Sequence, residues 1–532
     1  MALVYAKNKK NGTIYVYEST NYWSKEKQQS RSKRVCIGKL DEVGDLIPSK
    51  RFNEPLPVLP KKRGPVPLIE VKRSFYGATY LFDALGDKLE VTRDLKDCFP
   101  DTYKQILSIA YYLILEDRNP LSRFPKWAHT HKHPSGKNIP SQRSSELFSS
   151  ITEENKEHFF RLQGRRLTEN EYWAYDTTSI SSYSESLKQA KYGINKDHDP
   201  LAQINLALLF GEISNLPFYY RKVPGNIPDV KTIKNLLADM NFLEFGSVKL
   251  VMDRGFYSKA NVNALYQNHI KFLLATKVSL KFVRKELDKV RSTIRTRENY
   301  STMYQIHAYT TMISWDYTQK RPYKGDIIKD TRRIYLHIYY NGEKALEHEN
   351  KLNHLLDQLE DELISGKTKP ENEKLYKKYF DIITTPVRET KVTAKQEAIE
   401  QAQKDHGFFV LISNEIKEPI EALEIYRNKD LVEKAFGNLK ERLNMRRTSV
   451  SSDSSLEGKL FVQFIALIYL SYIKKQMVEQ ELYKKYTMQE LLDELDIIEC
   501  FEQPGNNIRI GEITKKQEGL YRKLGVEAPT SL

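Results

Sequence analysis

Cysteine is scarce: Cys36, Cys98 and Cys500 are the three in 532 residues, scattered and never in a C-x-x-C pair. That excludes a disulfide framework and a thiolate zinc site. Long apolar runs are lacking too. The longest, Leu460 to Ile473, holds 14 residues with Gln463 among them, short of the roughly 20 that cross a bilayer. It is expected as a buried helix, with no membrane partner. The first residues, Met1 to Tyr5 followed by Lys7, Lys9 and Lys10, lack the apolar stretch and cleavage site of a secretory leader, so a cytoplasmic location is expected. No internal repeat or low-complexity tract stands out. His129, His131 and His133 alternate as in a strand or loop, not at the i, i+4 spacing of helical metal ligands, which argues against zinc there.

Basic residues are plentiful. The 84 Lys and Arg outnumber the 70 Asp and Glu, giving a formal charge of +14 and a pI of about 9.2. Such a balance suits a polyanionic partner, nucleic acid first, although composition alone is a weak sign of one. A chain of this length is expected to divide into about three or four structural units.

Short β-prone runs such as Thr13 to Tyr17 and Arg34 to Ile37, separated by the basic stretch Lys25 to Lys33, suggest a small β-ribbon unit over 1–47. Residues 48–74 carry six prolines between Pro48 and Pro67, with Lys61-Lys62-Arg63 among them, and read as an extended basic linker. Residues 75–167 are helical in pattern and the expected DNA-binding region. Three strands follow, near Glu171–Ser181, Ala202–Phe210 and Leu216–Val223. Then come a helix at Asp229–Met240, a strand at Ser247–Met252, a helix at Ser258–Gln267 and a strand at Ile270–Thr276. A three-stranded meander followed by β-α-β alternation is the order of a ribonuclease H-like α/β fold, with its first part over 168–280. Residues 281–404 mix strands (Met303–Thr311, Arg333–Tyr340) with a charged helix from Glu343 to about Leu363, and look like an inserted α+β domain. The second part of the core, 405–445, supplies a strand at Gly407–Asn414 and a long helix from Glu418 to about Leu443. Residues 446–532 form a helical C-terminal region.

Three acidic residues fall where this fold would bring them to one sheet edge. Asp176 lies on the first strand, Asp253 closes the strand ending at Met252, and Glu433 lies on the late helix. Asp253 follows Asp176 by 77 residues and Glu433 follows Asp253 by 180, so only tertiary structure can unite them. Cutting and rejoining phosphodiesters needs an activated water or 3′-hydroxyl and a stabilised leaving oxygen, which two Mg²⁺ ions roughly 3.5 to 4 Å apart supply. Carboxylates are the natural ligands for so hard a cation. An Asp at a strand end more often serves a turn than a metal, so no one of the three argues alone. On a continuous helix, Tyr426, Lys429, Glu433 and Lys440 would fall within an arc of about 60° and present one stripe. Such a stripe suits a phosphate-facing surface, though charges at this spacing also suit a solvated face.

Several segments in order carry a resemblance: Tyr175-Asp176-Thr177-Thr178-Ser179, Lys196-Asp197-His198-Asp199-Pro200-Leu201, Pro224-Gly225-Asn226-Ile227-Pro228-Asp229, Asp253-Arg254-Gly255-Phe256-Tyr257-Ser258 and Gly407-Phe408-Phe409-Val410-Leu411. The chain resembles insertion-sequence transposases with a DDE triad and a Y-R-E-K signature, from about Trp23 to Leu467. The signature falls on Tyr426, Lys429, Glu433 and Lys440; Lys429 stands where the family has Arg, keeping the charge but losing the planar fork. The resemblance implies Asp176, Asp253 and Glu433 as catalytic metal ligands for two Mg²⁺ ions, with Mn²⁺ as a substitute. It implies DNA contacts from Tyr426, Lys429, Lys440 and Arg254. It also implies hydrolysis at the element's terminal inverted repeats, 3′-hydroxyl attack on target DNA, and a homodimer in the synaptic complex. End recognition would fall to the region before about residue 165.

Two other readings fit the same residues. One is a ribonuclease H-like nuclease that cuts without strand transfer. The other is a non-catalytic DNA-binding protein derived from a transposase, against which the intact triad argues, since three carboxylates repel a phosphate unless cations lie between.

Overall fold

Near-continuous apolar runs, Leu250-Val251-Met252 and Phe272-Leu273-Leu274, mark strands covered on both faces, and they lie at the centre of a ten-stranded mixed sheet in the computed structural model. The model describes residues 2–24, 29–41, 44–49, 71–117, 119–166, 171–245, 248–320, 325–385, 388–448, 450–503 and 507–530. The chain forms two compact units, Met1–Glu70 and Val71–Leu532.

In the larger unit the strands Lys271–Thr276, Lys249–Met252 and Tyr172–Ser182 run parallel, in that order across the sheet. Beyond Tyr172–Ser182 the meander continues antiparallel through Gln203–Gly211 and Pro217–Pro224. Beyond Lys271–Thr276 the sheet turns antiparallel through Phe408–Ser413, Ile327–Tyr340 and Ile306–Lys320, with a short strand Tyr300–Ser301 at the edge. The element types and order expected for 171–276 therefore recur, with ends shifted by at most three residues.

Residues 281–404 do not stand apart as expected. Their long hairpin, Ile306–Lys320 with Ile327–Tyr340, extends the main sheet, because Tyr335 to Tyr340 pair with Phe408 to Ser413. Only the portion from Gly342 to about Gln403 has a separate apolar cluster, made by Leu352, Leu359, Leu363, Tyr376, Tyr379, Phe380 and Ile399. The C-terminal region is likewise not wholly helical. Glu499–Gln503 pairs with Asn507–Ile510 on one side and with Lys72–Phe75 on the other, so the end of the expected linker is a strand; residues 50–70 of that linker lie outside the described residues.

The apolar run Leu460–Ile473 sits in helix Asp453–Glu479, which is long and apolar enough to cross a membrane but has 89% of its most apolar window buried inside the fold. Helices Tyr103–Leu115 and Ser141–Ser150 pack against it. At Gly458 a Cβ would come within 2.0 Å of the Phe148 carbonyl oxygen, so glycine lets the two backbones touch. Phe99 and Phe159 meet Phe461 of this helix, and Phe160 and Tyr220 meet its Phe464, through edge and tilted aromatic contacts. Of the alternating histidines, His131 and His133 are buried and hydrogen-bonded within the fold, while His129 is exposed. His131 Nε2 bonds Asp496 at 2.9 Å and its ring stacks on Trp127, while His133 Nδ1 meets the Ser108 hydroxyl at 2.9 Å. Burial pushes His133 down to about 4. Cys36, Cys98 and Cys500 are free.

Candidate active site

Parallel pairing sets Tyr175 opposite Met252, so Asp176 and Asp253 follow side by side at the same end of adjacent strands, whose backbones lie about 4.8 Å apart. Asp176 interrupts an otherwise buried strand and keeps 14% of its side chain exposed. Asp253 leaves the sheet and caps the turn Arg254–Phe256, accepting from the Arg254 backbone N–H at 2.7 Å. The Tyr426 hydroxyl donates to the same Oδ1 at 2.8 Å. Both bonds fall on Oδ1, so Oδ2 is the atom left to take a further ligand.

The late helix is not continuous. Pro419–Asn428 and Asp430–Gly437 are α-helical, Lys429 forms a one-residue turn between them, and Asn438–Arg442 widens into a π-helix. The tightening shows in bonds three residues apart, Lys429 N–H to Tyr426 O and Val432 N–H to Lys429 O. A single stripe from Tyr426 to Lys440 therefore does not form, since it presumed uniform α-helical rotation. Tyr426, Lys429 and Glu433 stay together. Lys440 instead pairs with Asp197 at 2.6 Å, on the loop that also holds Asp199 against Arg447 at 2.8 Å.

Lys429 is the common neighbour of the three carboxylates. Its side chain is only 4% exposed, and its ammonium bonds Glu433 Oε1 at 2.8 Å. Burial alone would lower its pKa. The Glu433 bond and the negative charges of Asp176, Glu433 and Asp253 outweigh burial and raise it. Asp176 moves the other way from most paired carboxylates: burial raises its pKa, and Lys196, Lys429 and the Thr177 N–H only partly offset that. Among the described residues no three His, Cys, Asp or Glu side chains gather closely enough to hold one ion. The three carboxylates thus share a neighbourhood and a central cation, without forming a closed ligand cage. Their chemistry nonetheless fits Mg²⁺: the donors are all oxygen, and a field that keeps a buried ammonium charged also favours a divalent cation in its place.

Two further residues belong to this site, Lys196 and Asp229. The Lys196 ammonium lies 3.1 Å from Asp229 Oδ2 and 3.6 Å from Asp176 Oδ1, and bonds both the carbonyl and hydroxyl oxygens of Thr177 at 2.7 Å. The Thr177 hydroxyl in turn donates to Asp229. Both residues stand in segments that carry the resemblance, but their pairing across the end of the Asp176 strand shows only in three dimensions.

A cleft of about 830 Å³ opens beside Asp253 and Tyr426. Arg254, Lys277, Lys344 and Arg427 line it, with Phe409 on its wall. None of the four cations has an ion-pair partner among the described residues; Arg427 lies over the Tyr304 ring and Lys344 over Phe409. A strip of unpaired positive charge next to carboxylates is what a phosphodiester strand requires, its phosphates gripped on one side of the reacting centre.

No curated protein sequence matches the chain. Among solved structures, the cryo-EM structure of the piggyBac transposase synaptic complex with hairpin DNA is similar, with a TM-score of 0.33 and 13% identity over 79% of this chain and 70% of that one. Residues 171–469, more than half of the chain, match the family model described as a transposase DDE domain. That match opens one residue before the strand of Asp176 and closes inside the core helix, enclosing the whole site around Lys429, and the chain belongs to the DDE-domain transposase family.

Proposed function

We propose that this chain is an active DNA transposase whose Asp176, Asp253 and Glu433 are the catalytic carboxylates, on a ribonuclease H-like core. The observation that carries the reading is Lys429, a buried ammonium held charged by three carboxylates that are remote in sequence. A protein that only binds DNA has no use for such a concentration of negative charge beside a basic cleft. Two Mg²⁺ ions, or Mn²⁺ in their stead, would be held by Asp176, Asp253 and Glu433; they supply Lewis acidity and an activated nucleophile at a scissile phosphate. The chain's own residues do the rest. Tyr426 fixes Asp253 Oδ1 by its hydrogen bond, Lys196 and Asp229 brace the end of the Asp176 strand, and Arg254 and the cleft lysines hold the phosphates of the DNA strand in line. The reaction is hydrolysis at the element's terminal inverted repeats followed by 3′-hydroxyl attack on target DNA, carried out by a homodimer that brings two ends together.

The test is cleavage and joining by the full chain on duplexes carrying its element's ends. With Mg²⁺ the parent should nick at the end and join pre-cut ends to a target plasmid, while Asp253→Asn should do neither yet still bind. Nicking without joining would leave a nuclease. Equal cleavage by Asp253→Asn would remove the site assignment.

A further inference from the structure

The strands Ala2–Lys7, Ile14–Ser24, Gln29–Leu40 and Leu46–Pro48 form a four-stranded antiparallel sheet, each strand paired to the next. Among its described residues only Val16 and Gly38 are buried. A sheet normally covers at least one face against another layer, and that covering supplies most of its stability. Here most of the described side chains are exposed or partly exposed, with Leu3, Tyr5, Tyr22, Trp23 and Val35 each about half exposed or more.

The bare surface is charged and one-sided in sign. Seven cations (Lys7, Lys9, Lys10, Arg31, Lys33, Arg34, Lys39) stand against three acids (Glu18, Asp41, Asp45) in the described part of this unit. The two long central strands run on past their neighbours as a ribbon, pairing Thr20 with Lys33, Tyr22 with Arg31, Asn21 with Ser32 and Trp23 with Ser30. Directly opposed residues share a face, and alternate pairs take opposite faces. One face therefore carries Thr20, Tyr22, Arg31 and Lys33. The other carries Asn21, Trp23, Ser30, Ser32 and, opposite Ser19, Arg34. None of Arg31, Lys33 and Arg34 has an ion-pair partner among the described residues, and all three are exposed.

We infer that this ribbon, residues 19–24 paired with 29–34, is a duplex-DNA-binding arm that lies in a groove of the element end. A B-DNA major groove about 12 Å wide admits a two-stranded ribbon, and Arg, Asn and Ser are side chains that read base edges while Lys reaches phosphate. The duplex covers these exposed side chains, and its charge is opposite to theirs. The inference places recognition on the β-unit, ahead of the helices of 75–167. Those helices spend their apolar faces on the core: Leu81, Phe82, Leu107, Tyr111, Leu147 and Phe148 are all buried. It rests on the reading that the chain acts on duplex DNA, and the two can fail separately.

The experiment uses the full chain and fluorescence anisotropy on two labelled duplexes, one with the element end and one unrelated, over a range of salt. Arg31→Ala/Lys33→Ala/Arg34→Ala should weaken end binding at least tenfold and lower the slope of log affinity against log salt by about 2 to 3, near 0.9 per lost phosphate contact. Arg31→Lys/Arg34→Lys should keep the slope. Circular dichroism confirms that each variant is folded. Unchanged affinity and slope in the triple variant would overturn the inference. So would loss of a dimer in sedimentation with DNA affinity intact, which would give the sheet to a second copy of the chain. Asp253→Asn separates the two readings: cleavage by that variant sinks the catalytic assignment and leaves the arm standing, whereas loss of the arm reading leaves Asp253-dependent nicking untouched.

Discussion

Two clusters of buried charge in the larger unit follow opposite arithmetic. In one, Glu457 receives two ammonium groups, Lys156 at 2.9 Å and Lys222 at 2.7 Å, and both lysines are nearly inaccessible. Burial pushes Glu457 up, the two cations more than reverse it, and its pKa is lowered. In the other, Asp176, Asp229, Asp253 and Glu433 share Lys196 and Lys429, and Asp176 is left raised. Lys156 also meets Glu153 at 2.6 Å, so cations equal carboxylates in the first and fall short in the second. A neutralised cluster ties helices Glu153–Gly164 and Asp453–Glu479 to strand Pro217–Pro224 and is finished; a cluster short of positive charge is still able to take some. Burial of charge by itself therefore does not mark function, but the sign of what remains does.

Exchanging carboxylate for amide in each cluster gives the widest separation. Asp176→Asn is expected to lose at least a thousandfold in nicking rate while melting no lower than the parent. Glu457→Gln is expected to do the reverse, losing about 3 to 5 kcal/mol by leaving the buried Lys222 ammonium without its carboxylate, with nicking per folded molecule unchanged. Paired melting curves and single-turnover nicking check both; a stability loss in Asp176→Asn equal to that in Glu457→Gln would erase the distinction.

Lys429 sharpens the contrast because it is the cation on which the three carboxylates converge. Lys429→Met should cost about 10- to 100-fold in nicking, the range for losing a group that orients a metal's ligands. Lys429→Arg should stay within a few-fold, since the charge is kept. Parent-like rates in Lys429→Met would make this lysine a packing residue.

A weaker effect reads the missing positive charge directly, without any reaction. Mg²⁺ at ten times its dissociation constant should stabilise the parent by about 1.4 kcal/mol, seen as a rise in melting temperature over a Ca²⁺-free, EDTA-treated sample. Asp176→Asn and Asp253→Asn should lose that rise, and Glu457→Gln should keep it. A rise of the same size in all four proteins would mean that the ion binds elsewhere.

Much of this is legible in the sequence. The meander and the β-α-β order over 171–276 follow from apolar runs of strand length broken by turn residues, and the adjacency of Asp176 and Asp253 follows from parallel pairing of the strands that end in them. What stayed hidden depended on contacts between distant segments. The hairpin Ile306–Tyr340 reads as a local unit, and nothing in its own residues says that Tyr335 to Tyr340 pair with Phe408 to Ser413. The break at Lys429 is equally silent, because Arg427-Asn428-Lys429-Asp430 contains no Pro or Gly to announce it. Lys196 and Asp229 were visible as motif residues but not as partners, since an ion pair across a strand end has no sequence period.

The smallest expected effect is in pH, and its sign differs between the clusters. The folded pKa of Asp176 is raised above its ordinary 3.8, so the native protein keeps a proton there that the unfolded chain has lost. Stability from this group is greatest in acid and falls as pH climbs from about 4 through the folded pKa, with a slope of at most about 1.4 kcal/mol per pH unit. Glu457 is lowered from 4.5, so its contribution is present above that pH and fades as pH falls through the folded pKa. Urea denaturation at several pH values between about 3 and 8 should then show Asp176→Asn matching the parent in acid and gaining on it toward neutral pH, as the parent alone takes on a buried negative charge. Glu457→Gln should lie furthest below the parent at neutral pH and approach it in acid. An Asp176→Asn advantage that is constant with pH, or largest in acid, would mean that this carboxylate is no more strained than one at the surface.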